Sequence, residues 1–254
     1  MFATFKKMLD EAGLLGRFSF RFIGQTMQAR FEFSEFVRQC YMIGYKSFPL
    51  VGLTGFIMGL VLTMQLRPAM LDYGVATQLP EMVGIAIVRE IGPVITALIF
   101  AGKIGSSIGA ELGSMKVTEQ IDAMEVSGTN PYKYLVVTRV LASTVMLPLL
   151  VIASDAISLY GSYVGVNIKG VTSFQLFFKM VFDGLAFSDV MPAFIKSYFF
   201  GFAIGMIGCY KGYHAQKGTE GVGRAANSAV VLSSVAIFII DLLAVQITDL
   251  FGLN

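Results

Sequence analysis

Long apolar stretches, separated by short polar connections, dominate the sequence after residue 47. Residues 48–66 carry no charge; these nineteen residues make roughly 28 Å of helix, close to the ~30 Å hydrocarbon core of a bilayer. Arg67 and Pro68 are expected to end this first span. The pattern places the other spans at about residues 81–109, 140–168, 190–210 and 225–248. It therefore predicts an all-α membrane protein with five transmembrane helices.

The first 46 residues have an amphipathic pattern instead. Seven lysines and arginines are interleaved with phenylalanines and leucines, and no apolar run reaches the ~18 residues that a span needs. This pattern is typical of a helix lying in the plane of the membrane interface. An amphipathic helix packed on a partner is the alternative. The sequence thus predicts an interfacial segment at 1–46 and a five-span membrane domain at 47–254.

A stripe of small residues runs along the second predicted span, with four positions between successive members. This spacing puts all of them on one face of a helix. Small residues on a membrane helix let a second helix approach closely, because lipid supplies no hydrophobic force to hold helices together. We therefore expect a close helix contact at Ala97, Ala101, Gly105, Gly109 and Gly113.

A short polar helix is predicted at about residues 118–128, between the second and third spans. Thr118 is expected to cap its first turn, and Gly128 and Pro131 to end it. Ile121 and Met124 lie three positions apart and share a face. The helix either rests on the headgroups or docks a soluble partner and passes force to the spans.

Composition and charge agree with a membrane protein and predict its orientation. Hydrophobic residues make up 55% of the chain, charged residues only 14%, and the mean hydropathy is +0.70, which excludes an ordinary soluble domain. Fourteen of the nineteen lysines and arginines fall in residues 1–46, 103–139 and 211–224. Because cytoplasmic segments are enriched in these residues, we expect Met1 in the cytoplasm and Asn254 on the opposite side.

Four charged residues lie deep inside the predicted spans, where each costs roughly 2.5–3.5 kcal/mol on insertion scales and usually finds a partner; Lys103 and Asp155 also fall within spans but are less diagnostic. They permit three interpretations: a structural ion-pair network, a polar wall beside a lipid headgroup, or a proton relay. The four are Arg89, Glu90, Lys196 and Asp241.

Patterns for catalysis and metal binding are missing from the sequence. No glycine-rich phosphate loop is present, and one histidine and two distant cysteines do not form a metal-site motif. The chain is therefore predicted to be no enzyme. Three classes of function remain: a subunit of a transporter driven by another protein, a self-sufficient carrier or channel, and a membrane scaffold without transport.

Four segments carry a resemblance to a known family. They are REIGP, AELGSMKVTEQIDAMEVSG, NPYKYLVVTRVLA and KGTEGVGRAANSAVV. They resemble the MlaE (YrbE-type) permeases, which are membrane subunits of ABC transporters that move phospholipids or related lipids together with Mce-domain proteins. The resemblance covers the chain from about Phe48 onward, whereas the N-terminal forty residues resemble the family only in general character.

The resemblance implies a permease in the bacterial inner membrane that works as a homodimer. Its expected partners are cytoplasmic ABC ATPase subunits, which would bind ATP and Mg²⁺, a periplasmic Mce-domain protein, a small accessory cytoplasmic subunit and membrane phospholipid, but not nucleic acid. No cofactor is expected in this chain. The short polar helix then becomes the ATPase coupling element, with contacts expected at Glu119, Ile121, Asp122, Met124 and Glu125.

A lipid path is predicted along the first span, if its helix continues past Pro68. One apolar face is formed by Leu62, Leu66, Met70 and Tyr73. The four buried charges would supply the polar end of this path. The alternative is that the face only packs against neighbouring helices.

Overall fold

The computed structural model describes residues 2–26, 31–168 and 170–250 and forms helices and turns, with no strand among these residues. Five helical stretches are long and apolar enough to cross a membrane, which confirms the predicted all-α, five-span architecture. They are Phe33–Asp72, Ala76–Val117, Tyr132–Asn167, Phe187–Tyr213 and Thr219–Leu250. The predicted locations of Met1 and Asn254 fall outside the described residues.

Two helices come before the main helix of the first span: α1 (Phe2–Thr26) and α2 (Phe33–Ile43). Phe18 and Phe22 of α1 are buried, and the Tyr132 hydroxyl donates a 2.6 Å hydrogen bond to the Phe18 carbonyl. Phe20 on the opposite side of α1 is 78% exposed. One face of α1 therefore packs on the end of the bundle, while the other is left for membrane or solvent.

The first span, α3 (Phe48–Asp72), continues through Pro68, so the prediction that Arg67 and Pro68 end it is wrong. A proline removes one backbone donor, but membrane helices tolerate this where neighbouring groups support the turn. Here the Arg67 guanidinium donates a 3.0 Å hydrogen bond to the Val166 carbonyl of the third span. This contact ties the proline turn to the bundle.

The second span is interrupted by two π-helical turns, each of which inserts one extra residue into the helix. Its parts are α4 (Leu79–Ala86), a π turn (Ile87–Ile91), α5 (Gly92–Phe100), a π turn (Ala101–Gly105) and α6 (Ser106–Val117). The connection to the third span holds α7 (Gln120–Val126). The remaining elements are a π turn (Tyr132–Val137), α8 (Thr138–Asn167), α9 (Phe174–Gly184), α10 (Phe187–Tyr213) and α11 (Thr219–Leu250).

The five residues of the small-residue stripe are all buried, and they pack inside the chain. A Cβ added at Gly109 would lie 3.2 Å from the Ala226 Cα of α11. On the other side, a Cβ added at Gly212 of α10 would lie 2.7 Å from the Leu112 Cβ. The Gly109 and Gly113 part of the stripe therefore forms a close three-helix contact among α6, α10 and α11.

The third span, α8, occupies the centre of the bundle and contacts α2, α3, α5 and α10. Its Ser158 hydroxyl donates to the Gly55 carbonyl of α3 at 2.9 Å, and a Cβ at Gly59 would lie only 1.9 Å from the Ser158 carbonyl. Such close approach is typical of membrane helices joined by small residues. We call the two ends of the bundle the Tyr73 end and the α7 end, after the connections found there.

Candidate functional site

A cluster of five charged side chains from three spans lies inside the bundle, nearer its Tyr73 end. Lys196 is nine residues from the start of α10 and Asp241 nine residues from the end of α11, or roughly 14 Å along each helix. The π turn Ile87–Ile91 supplies Arg89 and Glu90 from the second span. The structure thus brings together all four predicted intramembrane charges and adds Asp189.

Lys196 is the centre of this cluster. Its ammonium donates to Glu90 Oε2 at 2.7 Å and to Asp241 Oδ1 at 2.9 Å, and its side chain is only 4% exposed. One buried cation therefore joins the second, fourth and fifth spans. Such a group costs several kcal/mol to desolvate, and its partners must compensate for that cost.

Arg89 makes the third ion pair of the cluster, 3.5 Å from Asp189 Oδ1. Asp189 also accepts a 3.0 Å hydrogen bond from the Ala186 amide and so caps the first turn of α10. Asp189 and Lys196 are seven positions apart, which puts them on the same face of α10. Asp189 and Lys196 on that face therefore pair with the neighbouring Arg89 and Glu90 of the π turn.

Sequence reasoning missed Asp189 because the fourth span was predicted to begin only at residue 190. The signal was present, since an acidic residue in the first turn of a helix is a common cap. An earlier helix start, at Phe187, would have placed Asp189 inside the span.

A narrow cleft reaches the cluster from the Tyr73 end. It is lined by Arg89, Glu90, Lys196 and, on α11, Val245 and Thr248. Its volume is about 10 Å³, which is about the room that one water needs. In the isolated chain the charges therefore satisfy one another, and the cleft holds no space for a larger group.

Asp155 of α8 lies buried behind the same π turn. Its Oδ1 has no hydrogen-bond partner, and a Cβ added at Gly92 would lie only 1.7 Å from that oxygen. Gly92 therefore leaves the space that the carboxyl group occupies. A side chain at residue 92 would displace Asp155.

The predicted lipid-path face of α3 lies mostly against the chain's own helices. Leu62, Leu66 and Met70 are partly buried and pack on a cluster that includes Val83 of α4. Tyr73 is 82% exposed beyond the end of α3. The side of α3 with the larger apolar exposure carries Leu53, Ile57 and Met64.

At the opposite end of the bundle, α7 offers its charged side to the surroundings. Asp122, Glu125 and Glu119 are exposed, and Val126 is 90% exposed. Asp122 pairs with Lys116 of α6 at 2.8 Å. Glu119 has a left-handed backbone with φ of +58°, which sharply separates α7 from α6.

Two expectations for α7 are wrong. Thr118 does not cap it: the Thr118 hydroxyl donates to the Ser114 carbonyl and closes the end of α6 instead. Ile121 is only 1% exposed, so it cannot fill a groove of a partner protein. Met124 is partly buried against the same core. The apolar face of this short helix anchors α7 to its own chain.

A buried arginine connects the second and third spans. Arg139 is 2% exposed; it donates to Glu111 of α6 at 2.8 Å and to the Leu135 carbonyl at 3.0 Å. In the sequence, Arg139 counted only as one of the charges of residues 103–139. Its contact with Glu111 therefore links the second and third spans.

Comparison with known proteins decides the family. A family model described as Permease MlaE matches residues 36–247. The chain belongs to the MlaE permease family. The resemblance read from the four sequence segments is confirmed, and the match begins earlier than Phe48, within α2.

The relatives of this MlaE-family chain match along almost its whole length. The "Intermembrane phospholipid transport system permease protein MlaE" of Haemophilus influenzae is 34% identical over 97% of this chain and 95% of its own. A "Probable ABC transporter permease protein" of Rickettsia typhi is 38% identical over 95% and 93%. One of the same description from Pyropia yezoensis is 38% identical over 89% and 86%.

Proposed function

We propose that this chain is the membrane-spanning permease subunit of an ABC-type transporter that moves phospholipid between membranes. The observation that carries the proposal is the match, over 97% of the chain, to a relative named as a phospholipid transport permease. The buried ion cluster supports it, because charged groups inside spans usually mark a substrate path. The self-sufficient carrier and the scaffold have no comparable support.

In this proposal the α7 end receives force from a separate ATPase, which binds ATP and Mg²⁺. The exposed carboxylates Asp122 and Glu125 and the apolar Val126 form the docking surface. The close contacts of α6 with α10 and α11 would carry movement toward the Tyr73 end. There, a cleft too narrow in the isolated chain would widen when a second copy and an Mce-domain protein complete the assembly. A small accessory cytoplasmic subunit would act on the ATPase side.

Neutralising the ion cluster tests whether its charges contact the substrate. The variant Glu90→Gln/Lys196→Met/Asp241→Asn removes all three charges together, so no buried charge is left unpaired. In vesicles carrying the complete transporter, we expect ATP-dependent transfer of fluorescent phospholipid to fall about tenfold, a loss of roughly 1.4 kcal/mol. Lys217→Met, in the exposed connection between α10 and α11, is the control.

Transfer at the unaltered rate by the folded triple variant would assign the cluster a purely structural role. Absence of ATP-dependent phospholipid transfer by the unaltered transporter would overturn the proposed function itself. The two outcomes are separate, because the first compares variants and the second does not.

We further propose that the chain lies in the bacterial inner membrane with the α7 end in the cytoplasm and the Tyr73 end in the periplasm. Single cysteines at Tyr73 (82% exposed) and Val126 (90% exposed) report on the two ends, in a Cys40→Ser background that leaves only the buried Cys209. A membrane-impermeant thiol reagent should label Tyr73→Cys in spheroplasts and Val126→Cys only after permeabilisation. The reverse pattern would invert the orientation.

A further inference from the structure

A cavity lies at the α7 end, between the last turn of α10 and the first turns of α11. Its volume is about 380 Å³. Tyr210, Lys211 and His214 line it from α10 and its cap, and Arg224 and Ser228 line it from α11. We call it the basic cavity. It is separate from the ion cluster near the Tyr73 end and takes no part in the path proposed above.

The charges around the basic cavity favour an anion. Lys211 and Arg224 are cations, and the single histidine of the chain, His214, has its Nδ1 2.9 Å from the Tyr210 carbonyl. Because a carbonyl only accepts, the His214 Nδ1–H donates to it, and Lys211 and Arg224 supply the positive charge of the cavity. The acidic neighbour Glu220 pairs with Arg224, but both side chains are largely exposed, so this pair is weak.

An apolar stripe continues from the cavity along α11. Arg224, Ser228, Val231, Val235 and Phe238 are spaced by four, three, four and three positions, which puts them on one face. Val231, Val235 and Phe238 are 58%, 50% and 56% exposed. A ligand on this face would have an anionic group at one end and a long apolar part below it.

We propose that the basic cavity binds the phosphate headgroup of an anionic phospholipid, whose acyl chains lie along the apolar stripe of α11. Basic pockets between membrane helices are known to hold such headgroups. The occupant would also touch the site where α1 docks, since the Phe18 ring lies 5.7 Å from the His214 ring and 5.6 Å from the Tyr210 ring. The proposal is independent of the transport function.

The sequence offers a direct probe, because the chain contains no tryptophan. Val231→Trp places a single fluorophore on the stripe, twelve residues into α11, where lipids with brominated acyl chains quench it on contact. Val145→Trp is the matched position: it lies thirteen residues after Tyr132 and Val145 is 42% exposed. The full-length chain is reconstituted in vesicles with brominated phosphatidylglycerol or brominated phosphatidylcholine at equal mole fraction.

We expect phosphatidylglycerol to quench Val231→Trp at about fivefold lower mole fraction than phosphatidylcholine, and the two lipids to quench Val145→Trp equally. Adding Lys211→Gln and Arg224→Gln should remove the preference at Val231→Trp. Lys133→Gln with Lys217→Gln, which removes two cations outside the cavity, should leave it unchanged.

Three results would overturn the proposal. An equal preference for phosphatidylglycerol at both tryptophans would show that the quenching comes from bulk lipid and not from a bound one. Loss of the preference on adding inorganic phosphate, but not chloride of equal ionic strength, would assign the cavity to a soluble phosphate compound. Quenching of Val145→Trp but not of Val231→Trp by either lipid would show that protein, such as a second copy, covers the stripe.

Discussion

Two lysines make carboxylate contacts of nearly the same length, Lys196 inside the bundle toward its Tyr73 end and Lys116 at its α7 end. Lys196 lies 2.7 Å from Glu90 and 2.9 Å from Asp241, and Lys116 lies 2.8 Å from Asp122. The Lys196 side chain is 4% exposed and its partners Asp241 and Glu90 are 20% and 39% exposed, whereas Lys116 and Asp122 are 36% and 53% exposed. Burial, rather than distance, therefore determines what each contact contributes.

The difference matches the roles proposed for the two ends. A buried pair cannot lose one partner without leaving an uncompensated charge, so the ion cluster fixes three spans relative to one another. Exposed pairs exchange partners with water or another protein at little cost. The α7 end is held by close packing of α6, α10 and α11 and by the buried Arg139, which contacts Glu111, while the exposed charges of α7 stay available to a partner.

The largest expected effect comes from breaking the buried contact on one side only. Lys196→Met leaves Glu90 and Asp241 as neighbouring carboxylates without their cation, and we expect the free energy of unfolding to fall by about 3 kcal/mol, the lower end for a buried pair, because Glu90 is 39% and Asp241 20% exposed. Thermal unfolding of the purified chain in detergent measures this. The neutral triple variant described above should recover most of the loss; if it does not, the methyl-terminated side chain and not the charge is responsible.

An intermediate effect is expected where packing holds the α7 end. Gly109→Leu would force α6 away from α11, because even a Cβ would lie 3.2 Å from the Ala226 Cα, and we expect a cost of about 1–3 kcal/mol. Gly102→Leu is the control, since a Cβ there meets nothing within 4 Å. Equal unfolding temperatures for the two variants would contradict the close contact.

The smallest effect on stability is expected from the exposed charges of α7. Asp122→Lys with Glu125→Lys should change the free energy of unfolding by no more than about 1 kcal/mol, because these side chains are solvated. The same variant should release the ATPase from the purified complex. Full ATPase occupancy in the variant would show that docking takes place elsewhere, and unfolding would show that α7 is held by its charges after all.

Sequence periodicity was sufficient for the spans and for most of the charged cluster. A run of apolar residues is a local property, and its length must match the bilayer, so five spans follow without any tertiary information. The cost of burying a charge likewise marks Arg89, Glu90, Lys196 and Asp241 wherever they lie. The stripe ending at Gly113 indicated close packing because small residues at four-residue spacing share one helix face.

Only the tertiary structure decided which residues meet. Lys196 and Glu90 are 106 positions apart, and nothing in either segment specifies the other as its partner. Ile121 was assigned to a partner protein because a short amphipathic helix has the same pattern whether its apolar face packs inward or outward. Pro68 was expected to end α3 because its local effect is to break a helix, yet a contact from Arg67 to a carbonyl 99 positions away supports that turn. Hydrophobic pattern and charge thus determined what enters the membrane, whereas the pairing of distant side chains determined how the spans are held together.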